Sequence, residues 1–291
     1  MKTIFRILIL ILVPIFLLIL YLSFVGIETN KFNNQIQIKV KEIDKNLGLE
    51  LNKVKLTLNP LKLKLNAKTI GPSITIKENR IELENIKTNI SLKSLFINEF
   101  SLEKLEISTK TIEIKDLLSF YNSVYQLPEI IFLEKIFKVN GYLIANIKLE
   151  FDQDRKLKDN YVFKGFIKDA KFNLTNDFNI KKLNLLFDFS KNKFFFSDIK
   201  FQFNNLDFNS KSISIEKNQD YHTIKGNIFN DNIKLDEKNI SFLRDKYSPY
   251  FNIKTIDFSS DNNFSMDIDK KFKFQNVKVN STLNINQAKI S

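Results

Sequence analysis

From Leu49 onward, apolar and polar residues alternate with a period of two. Leu61, Leu63 and Leu65 are interleaved with Lys62, Lys64 and Asn66. Leu183, Leu185, Phe187 and Phe189 alternate with Asn184, Leu186, Asp188 and Ser190. Ile199, Phe201 and Phe203 flank Lys200 and Gln202, and Phe264, Met266 and Ile268 flank Ser265 and Asp267. Successive side chains of an extended strand point to opposite faces, so each segment is oily on one side and wet on the other. Parallel strands buried on both faces read instead as unbroken apolar runs, so the pattern selects antiparallel sheets.

A second pattern is superposed on the first: two apolar residues in alternation, a polar pair, then apolar again. It occurs as Leu49, Leu51, then Val54, Leu56; as Ile81, Leu83, then Ile86; as Phe201, Phe203, then Leu206, Phe208; and as Phe272, Phe274, then Val277, Val279. A two-residue hairpin and a β-bulge both carry an apolar face across such a pair without a flip. Asn52-Lys53, Glu84-Asn85, Asn204-Asn205 and Gln275-Asn276 are open to either reading, since none is the Asn-Gly or Asp-Gly that would decide for a hairpin.

Helical signals are few. Phe32, Ile36, Val40, Ile43 and Leu47 fall on one helical face, with Thr29 or Asn30 as cap and Gly48 as stop. This predicts an amphipathic neck whose stripe packs on the first strands. Asp116–Gln126 reads as a helix capped by Asp116 and ended before Pro128, and Asn239–Lys246 as a short one stopped before Pro249. These cannot cover about fifteen strands, and an apolar sheet face bare to water is unstable. The face must meet another sheet, close on itself, or hold something apolar. A sandwich or barrel is the plain physical solution.

The N-terminus adds a membrane. Ile7–Val25 carries no charge. At ~1.5 Å per residue such a helix covers roughly 30 Å, the hydrocarbon thickness of a bilayer. Lys2 and Arg6 precede it, Pro14 lies mid-span and Tyr21 near one end. The run is long for a cleaved signal peptide, and no small-x-small site follows in SFVGIET. An uncleaved anchor is therefore expected. The basic n-region keeps the N-terminus cytoplasmic and places the bulk of the chain across the membrane, although Lys31, Lys39, Lys41 and Lys45 beyond the span give no help by count.

Composition excludes several classes. The net charge is +12, but the lysines alternate with apolar residues along the whole chain, as solvated strand faces do, so a nucleic-acid surface is not indicated. There is no Cys, hence no disulfide, thiolate site or lipoprotein cleavage site. The single His, His222, leaves triads and His-cluster metal sites without a second member. No phosphate-binding Gly-rich loop is present. DNNFSMDID from Asp261 lacks the Gly and Glu of a calcium loop. Pairs such as Glu82 with Glu84 and Asp267 with Asp269 share a wet strand face and cannot be told from ordinary surface. No catalytic residue, cofactor or metal is expected, and no enzyme.

The order of features resembles the AsmA-like superfamily of bacterial envelope proteins (the AsmA, TamB and YhdP type). One stretch carrying the likeness is the N-terminal run with NQIQIKVKEIDKNLGLELNKVKLTLNPLKLKLNAKTIG, continued by IELENIKTNISLKSLFINEFSLEKLEISTKTIEIKDLL. The other is VNGYLIANIKLEF, YVFKGFIKDAKFNL and FNIKKLNLLFDFSKNKFFFSDIKFQF, similar to the YhdP-like central domain. The resemblance implies a long bent antiparallel sheet forming a U-shaped β-groove, greasy inside, on an inner-membrane anchor with the bulk in the periplasm. It implies phospholipid transport between membranes or outer-membrane biogenesis. The corresponding division is 1–26 cytoplasmic tip and transmembrane anchor, 27–48 neck helix, 49–127 AsmA-like β region, and 128–291 YhdP-like groove region. Relatives are far longer. Fifteen strands at about 4.8 Å give roughly 70 Å, and LNINQAKIS reads as strand with no capping element, which fits a fragment, a short member, or one end of a longer assembly.

The candidate functional residues are Phe187, Phe189, Phe194, Phe196, Phe201, Phe203 and Phe208, expected to line one face. Either they touch acyl chains, which need only a continuous apolar path at about 0.8 kcal/mol per CH₂ kept from water, or they are the core of a closed sandwich. Partners follow from the choice: phospholipid in a groove, envelope proteins docking on an anchored sandwich, or lipopolysaccharide in a bridge component like that of lipopolysaccharide export.

Overall fold

The computed structural model describes residues 2–30, 33–43, 45–91, 102–125, 139–152, 156–173, 179–236, 253–271 and 273–290. Among these, sixteen strands belong to one antiparallel sheet and three helices accompany it. The chain forms two compact units. Unit 1 comprises residues 1–131 and 144–163, and unit 2 comprises 132–143 and 164–291.

Unit 1 begins with helix α1 (Lys2–Phe24). Gly26, at φ +77°, turns the chain out of it, and the Gly26 N–H reaches back to the Tyr21 carbonyl at 3.0 Å. A side chain here would sit 2.3 Å from the Leu56 carbonyl oxygen, so only Gly lets strand β1 (Ile27–Thr29) pair with β3 (Lys53–Asn59). Among the described residues no helix is long and apolar enough to cross a membrane.

The expected neck helix is shorter than its stripe. Helix α2 is Asn33–Ile43, Thr29 lies in β1 opposite Val54, and Phe32 lies outside the described residues. Leu47 and Gly48 belong to strand β2 (Leu47–Glu50), not to a helix end. Gly48 lies opposite Thr75, whose Oγ1 would be 2.2 Å from any Cβ, so this Gly allows a close strand approach. The packing direction was legible: Ile36 packs, with Leu56 and Leu65, against the buried Val54 and Ala67 of the first strands.

Strands β4 (Lys64–Ile70), β5 (Ser73–Ile76) and β6 (Asn79–Ser91) make a handover. The first part of β6 pairs with β5 and its later part with β4. At the junction, Glu84-Asn85 forms a bulge against β7 (Leu102–Thr109). The ladder bonds lost there are replaced by side chains. Thr69 Oγ1 accepts the Ile86 N–H at 2.8 Å, and Leu83 N–H donates to the Pro72 carbonyl at 2.8 Å. Asn52-Lys53 is the matching corner on the other side, where the chain leaves β2, which pairs β5, for β3, which pairs β4. Asn33 Nδ2 pins it by donating to the Leu51 and Asn52 carbonyls.

Strand β8 (Ile112–Glu113) leads into helix α3 (Ile114–Tyr125), which places Asp116 in its first turn rather than at its cap. Leu117 and Phe120, three apart on one helical face, pack on Ile81, Leu83 and Ile112. Helices therefore cover part of unit 1's apolar face. Strand β9 (Asn140–Glu150) pairs with β7.

Unit 2 follows chain order: β10 (Val162–Asn173), β11 (Asn179–Ser190), β12 (Lys193–Phe203), β13 (Leu206–Lys217), β14 (Tyr221–Leu235), β15 (Ile253–Asp269) and β16 (Phe274–Ile290), each beside the next. It contains no helix among the described residues, and the expected helix at Asn239–Lys246 lies outside them. Asn204-Asn205 is the one true hairpin of the four polar pairs. Phe203 pairs with Leu206, and φ is 49° and 67° at the two Asn, the sense required for a type I′ turn. Gln275-Asn276 is a bulge in β16, with Asn276 at φ 51°.

A line of irregularities crosses unit 2. Asp169, Lys182 and Asp198, on β10, β11 and β12, have φ near +50° (51°, 50° and 51°). Asp169 N–H donates to Asn184 Oδ1 at 3.1 Å. The β13–β14 register shifts between Asn209 and Ile213, where Asn227 Oδ1 accepts the Lys211 N–H at 3.0 Å. The β14–β15 register shifts between Asn230 and Ile233, where Asn230 Nδ2 donates to the Phe258 carbonyl at 2.9 Å. Side-chain amides thus stand in for missing backbone partners across successive strands, those of Asn227 and Asn230 buried.

Candidate apolar binding face

The seven predicted phenylalanines fall into two packed groups on neighbouring strands. In the first, Phe187 pairs across strands with Phe196 and Phe189 with Phe194. The Phe189 ring lies 4.9 Å from Phe187, 5.1 Å from Phe194 and 5.3 Å from Phe196. The last two contacts are edge-on, the favourable arrangement for ring quadrupoles. In the second, Phe201 pairs with Phe208, their rings stacked at 5.7 Å, and Phe203 pairs with Leu206 at the hairpin.

Between the groups the alternation changes parity. On β12 the apolar face is carried by even-numbered Phe194 and Phe196 and then by odd-numbered Ile199, Phe201 and Phe203, with the extra residue at Asp198; Phe195 points to the other face, where Lys193 Nζ lies 5.9 Å from its ring centre. A bulge that absorbs one residue keeps the apolar side chains on one face of a strand. The same step occurs in β13, between Phe208 and Ile213, so neighbouring strands stay in phase.

Exposure separates the seven. Phe187 is buried at 3%, beside the buried Leu185 and Ile199. Phe189, Phe194, Phe196, Phe201, Phe203 and Phe208 are half-buried. A packed sandwich core leaves its aromatic side chains dry. Here the strands of unit 2 form a single hydrogen-bonded path, and the rings keep part of their surface open.

Ile233 and Leu235 extend the face. They are buried, and Leu206, Phe208, Ile256 and Phe258 pack on them. Their spacing, two apart on β14 and two apart on β15, was present in the sequence as the ordinary strand period. Nothing local marked them as continuous with Phe208; only the register of β13, β14 and β15 does that.

The opposite chemistry appears in unit 1. A row of directly opposed residues runs Glu28, Lys55, Lys68, Lys87, Glu106 across β1, β3, β4, β6 and β7. It includes three adjacent lysines. Lys55, Lys68, Lys87, Lys104 and Glu106 line a shallow cavity of about 400 Å³. Its lining is polar, and Lys104 and Glu106 pair with each other within it.

His222 lies on β14 opposite Lys217 and Ile268. Among the described residues no group of three metal-ligating side chains converges. Glu82 and Glu150 are held below the usual carboxylate range by hydrogen bonds from Lys110 and Lys148, respectively. Asp267 is held low by donors from Asn276 and Thr223. These are surface pairs on alternating strands. The apolar face, not a polar cluster, is the feature that chemistry can use. Comparison of the chain with protein-family models, with curated proteins and with solved structures finds no match.

Proposed function

We propose that this chain is a membrane-anchored β-protein of the AsmA-like type that holds lipid acyl chains against the apolar face of unit 2. One observation carries the reading: Phe189, Phe194, Phe196, Phe201, Phe203 and Phe208 are only half-buried on a sheet that, among the described residues of unit 2, no helix covers. An apolar face left partly open to water is stabilised by an apolar guest, and each acyl CH₂ placed on it gains about 0.8 kcal/mol. The line of bulges through β10–β15 supports a bent sheet, because each bulge bends and twists its strand.

The anchor reading rests on α1. Leu10, Phe16 and Phe24 are 76%, 61% and 81% exposed, and from Ile9 to Phe24 the helix carries no charge and a single short polar side chain, Ser23, whose hydroxyl donates to the Ile19 carbonyl. A helix of that kind belongs in lipid or in a large protein core. With a basic n-region ahead of it, the chain is a single-pass inner-membrane protein with its bulk in the periplasm, acting in phospholipid transport or outer-membrane biogenesis. The mechanism requires no catalytic residue and no cofactor.

The test is photo-crosslinking in a Gram-negative cell, with benzoylphenylalanine at Phe201 in the full chain and at Lys200 on the other face. The expected result is capture of phospholipid at 201 and not at 200. Capture of lipopolysaccharide at 201 replaces the cargo with that of an export bridge. Equal labelling at both positions, or no lipid at either, overturns the reading in favour of an anchored interaction module.

A further inference from the structure

Strand β16 differs from every other strand of unit 2. All its side chains described from Phe274 to Lys289 are exposed, including Phe274 (64%), Val277 and Val279 (56% each), Leu283 (55%) and Ile285 (56%). It pairs with β15 on one edge, and among the described residues no strand pairs with the other. A long strand with a free edge presents a row of backbone donors and acceptors that will accept another strand.

The sequence of this strand reads nearly the same in polarity from both ends. Reflection about Ser281 puts Asn280 on Thr282, Val279 on Leu283, Lys278 on Asn284 and Val277 on Ile285. It continues with Asn276 on Asn286, Gln275 on Gln287 and Phe274 on Ala288. Apolar meets apolar and polar meets polar at every position. The irregularities obey the same reflection. Within β16 one bulge falls at Asn276 and the other between Ile285 and Gln287, where Asn286 is the extra residue; the third register shift of this pair has its extra residue, Lys254, on β15. A period-two pattern interrupted by two bulges does not become symmetric through amphipathicity alone, since the bulges must also be placed symmetrically.

We infer that β16 is the interface of a two-fold dimer in which β16 of one copy pairs antiparallel with β16 of a second copy, Ser281 opposite Ser281. An isologous interface demands this self-complementarity, residue i on j and j on i. The register joins Val277 to Ile285 and Val279 to Leu283 twice each, the apolar cross-strand pairs that stabilise a sheet. Lys278 meets Asn284 and not another lysine. A slip by one residue would set the apolar stripe of one copy against the polar stripe of the other, and a slip by two would set Val277 on Gln287 or Ile285 on Gln275. This inference is independent of the lipid reading, since it uses neither the Phe face nor α1.

The chain has no Cys, so single cysteines report contacts cleanly. In the full chain purified in detergent, Ser281→Cys should form a covalent dimer under copper–phenanthroline, because directly opposed residues lie about 5 Å apart at Cβ, close to disulfide geometry. Val277→Cys alone should not, since its own copy is eight residues away, roughly 27 Å. A mixture of Val277→Cys and Ile285→Cys should link only as the mixed pair. Ser281→Lys, at an exposed position, should reduce the mass measured by light scattering from dimer to monomer, whereas Ser281→Thr should leave a dimer. A monomeric wild type, or Val277→Cys linking to itself as well as Ser281→Cys does, overturns the inference.

Discussion

Asn227 Oδ1 accepts the backbone N–H of Lys211 at 3.0 Å, across the point where the β13–β14 ladder slips. The amide does for the backbone what a neighbouring carbonyl does elsewhere in the sheet. Its residue is only 9% exposed, so water cannot take over. Asn227→Leu fits the strand but leaves that N–H unpaired. It should lower stability by about 1–3 kcal/mol, read as a drop in the urea midpoint with the slope unchanged. An unchanged midpoint would show that the bulge does not depend on the amide.

The Asn204-Asn205 hairpin tests backbone conformation. Both residues hold φ above zero, which Asn tolerates and Ala does not. Asn205→Gly should raise the melting temperature slightly, and replacement of both by Ala should cost about 2 kcal/mol. If both variants melt with the wild type, the turn conformation is not what fixes the Phe203–Leu206 register.

Burial should separate Phe187 from Phe201. Phe187, dry and closely packed, should cost about 3–5 kcal/mol on replacement by Ala. Half-buried Phe201 should cost clearly less, roughly 1–2 kcal/mol by area. Denaturation of the two variants side by side measures the difference, and equal losses would place both in a closed core.

Lys68 interrupts an otherwise ordered charge row. Its direct neighbours are Lys55 and Lys87, and beyond them stand Glu28 and Glu106. Lys68→Glu makes the signs alternate across all five strands. Stability should rise by about 0.5 kcal/mol in low salt, and the gain should shrink as salt is added. A loss on substitution would mean that the lysines hold an anion whose binding outweighs their repulsion.

Acid should loosen the β15–β16 pair at one identifiable place. Asn276 Nδ2 donates to Asp267 Oδ2 at 2.7 Å and Thr223 Oγ1 to Asp267 Oδ1 at 2.8 Å, which lowers the pKa of this carboxylate below its ordinary 3.8. A carboxylate lowered on folding stabilises the native state above its unfolded pKa, and that contribution disappears as pH falls through the folded value. Stability measured from pH 5 downward should therefore fall less steeply in Asp267→Asn than in the wild type. Identical slopes would remove Asp267 from the acid response.

Strand character and the antiparallel arrangement were legible because the period of two is written into the strand segments between Leu49 and Ile290, although Leu61 and Leu63 of that pattern lie in the turn between β3 and β4. The choice between turn and bulge was not. Asn204-Asn205 and Glu84-Asn85 look alike in sequence, yet the first reverses the chain while the second lies inside β6 where partners change from β5 to β4. That difference lies in distant strands. The end of α2 was misplaced for a related reason: Leu47 satisfies both a helical stripe and the first position of β2, and pairing with Ile76 decides it. The grouping of Phe187 with Phe196 was readable as alternation, but its continuation into Ile233 and Phe258 requires the register.

The neighbour-to-neighbour order of β10 through β16 bears on how this half of the molecule forms. No strand in it waits for a partner made much later, so loop closure stays short at each step and the entropy of bringing ends together remains small. Assembly can then advance from the ribosome's side like a zip, each new hairpin templated by the one before. The last strand added becomes the growing front, and a chain paused at any intermediate length carries one sticky margin instead of many.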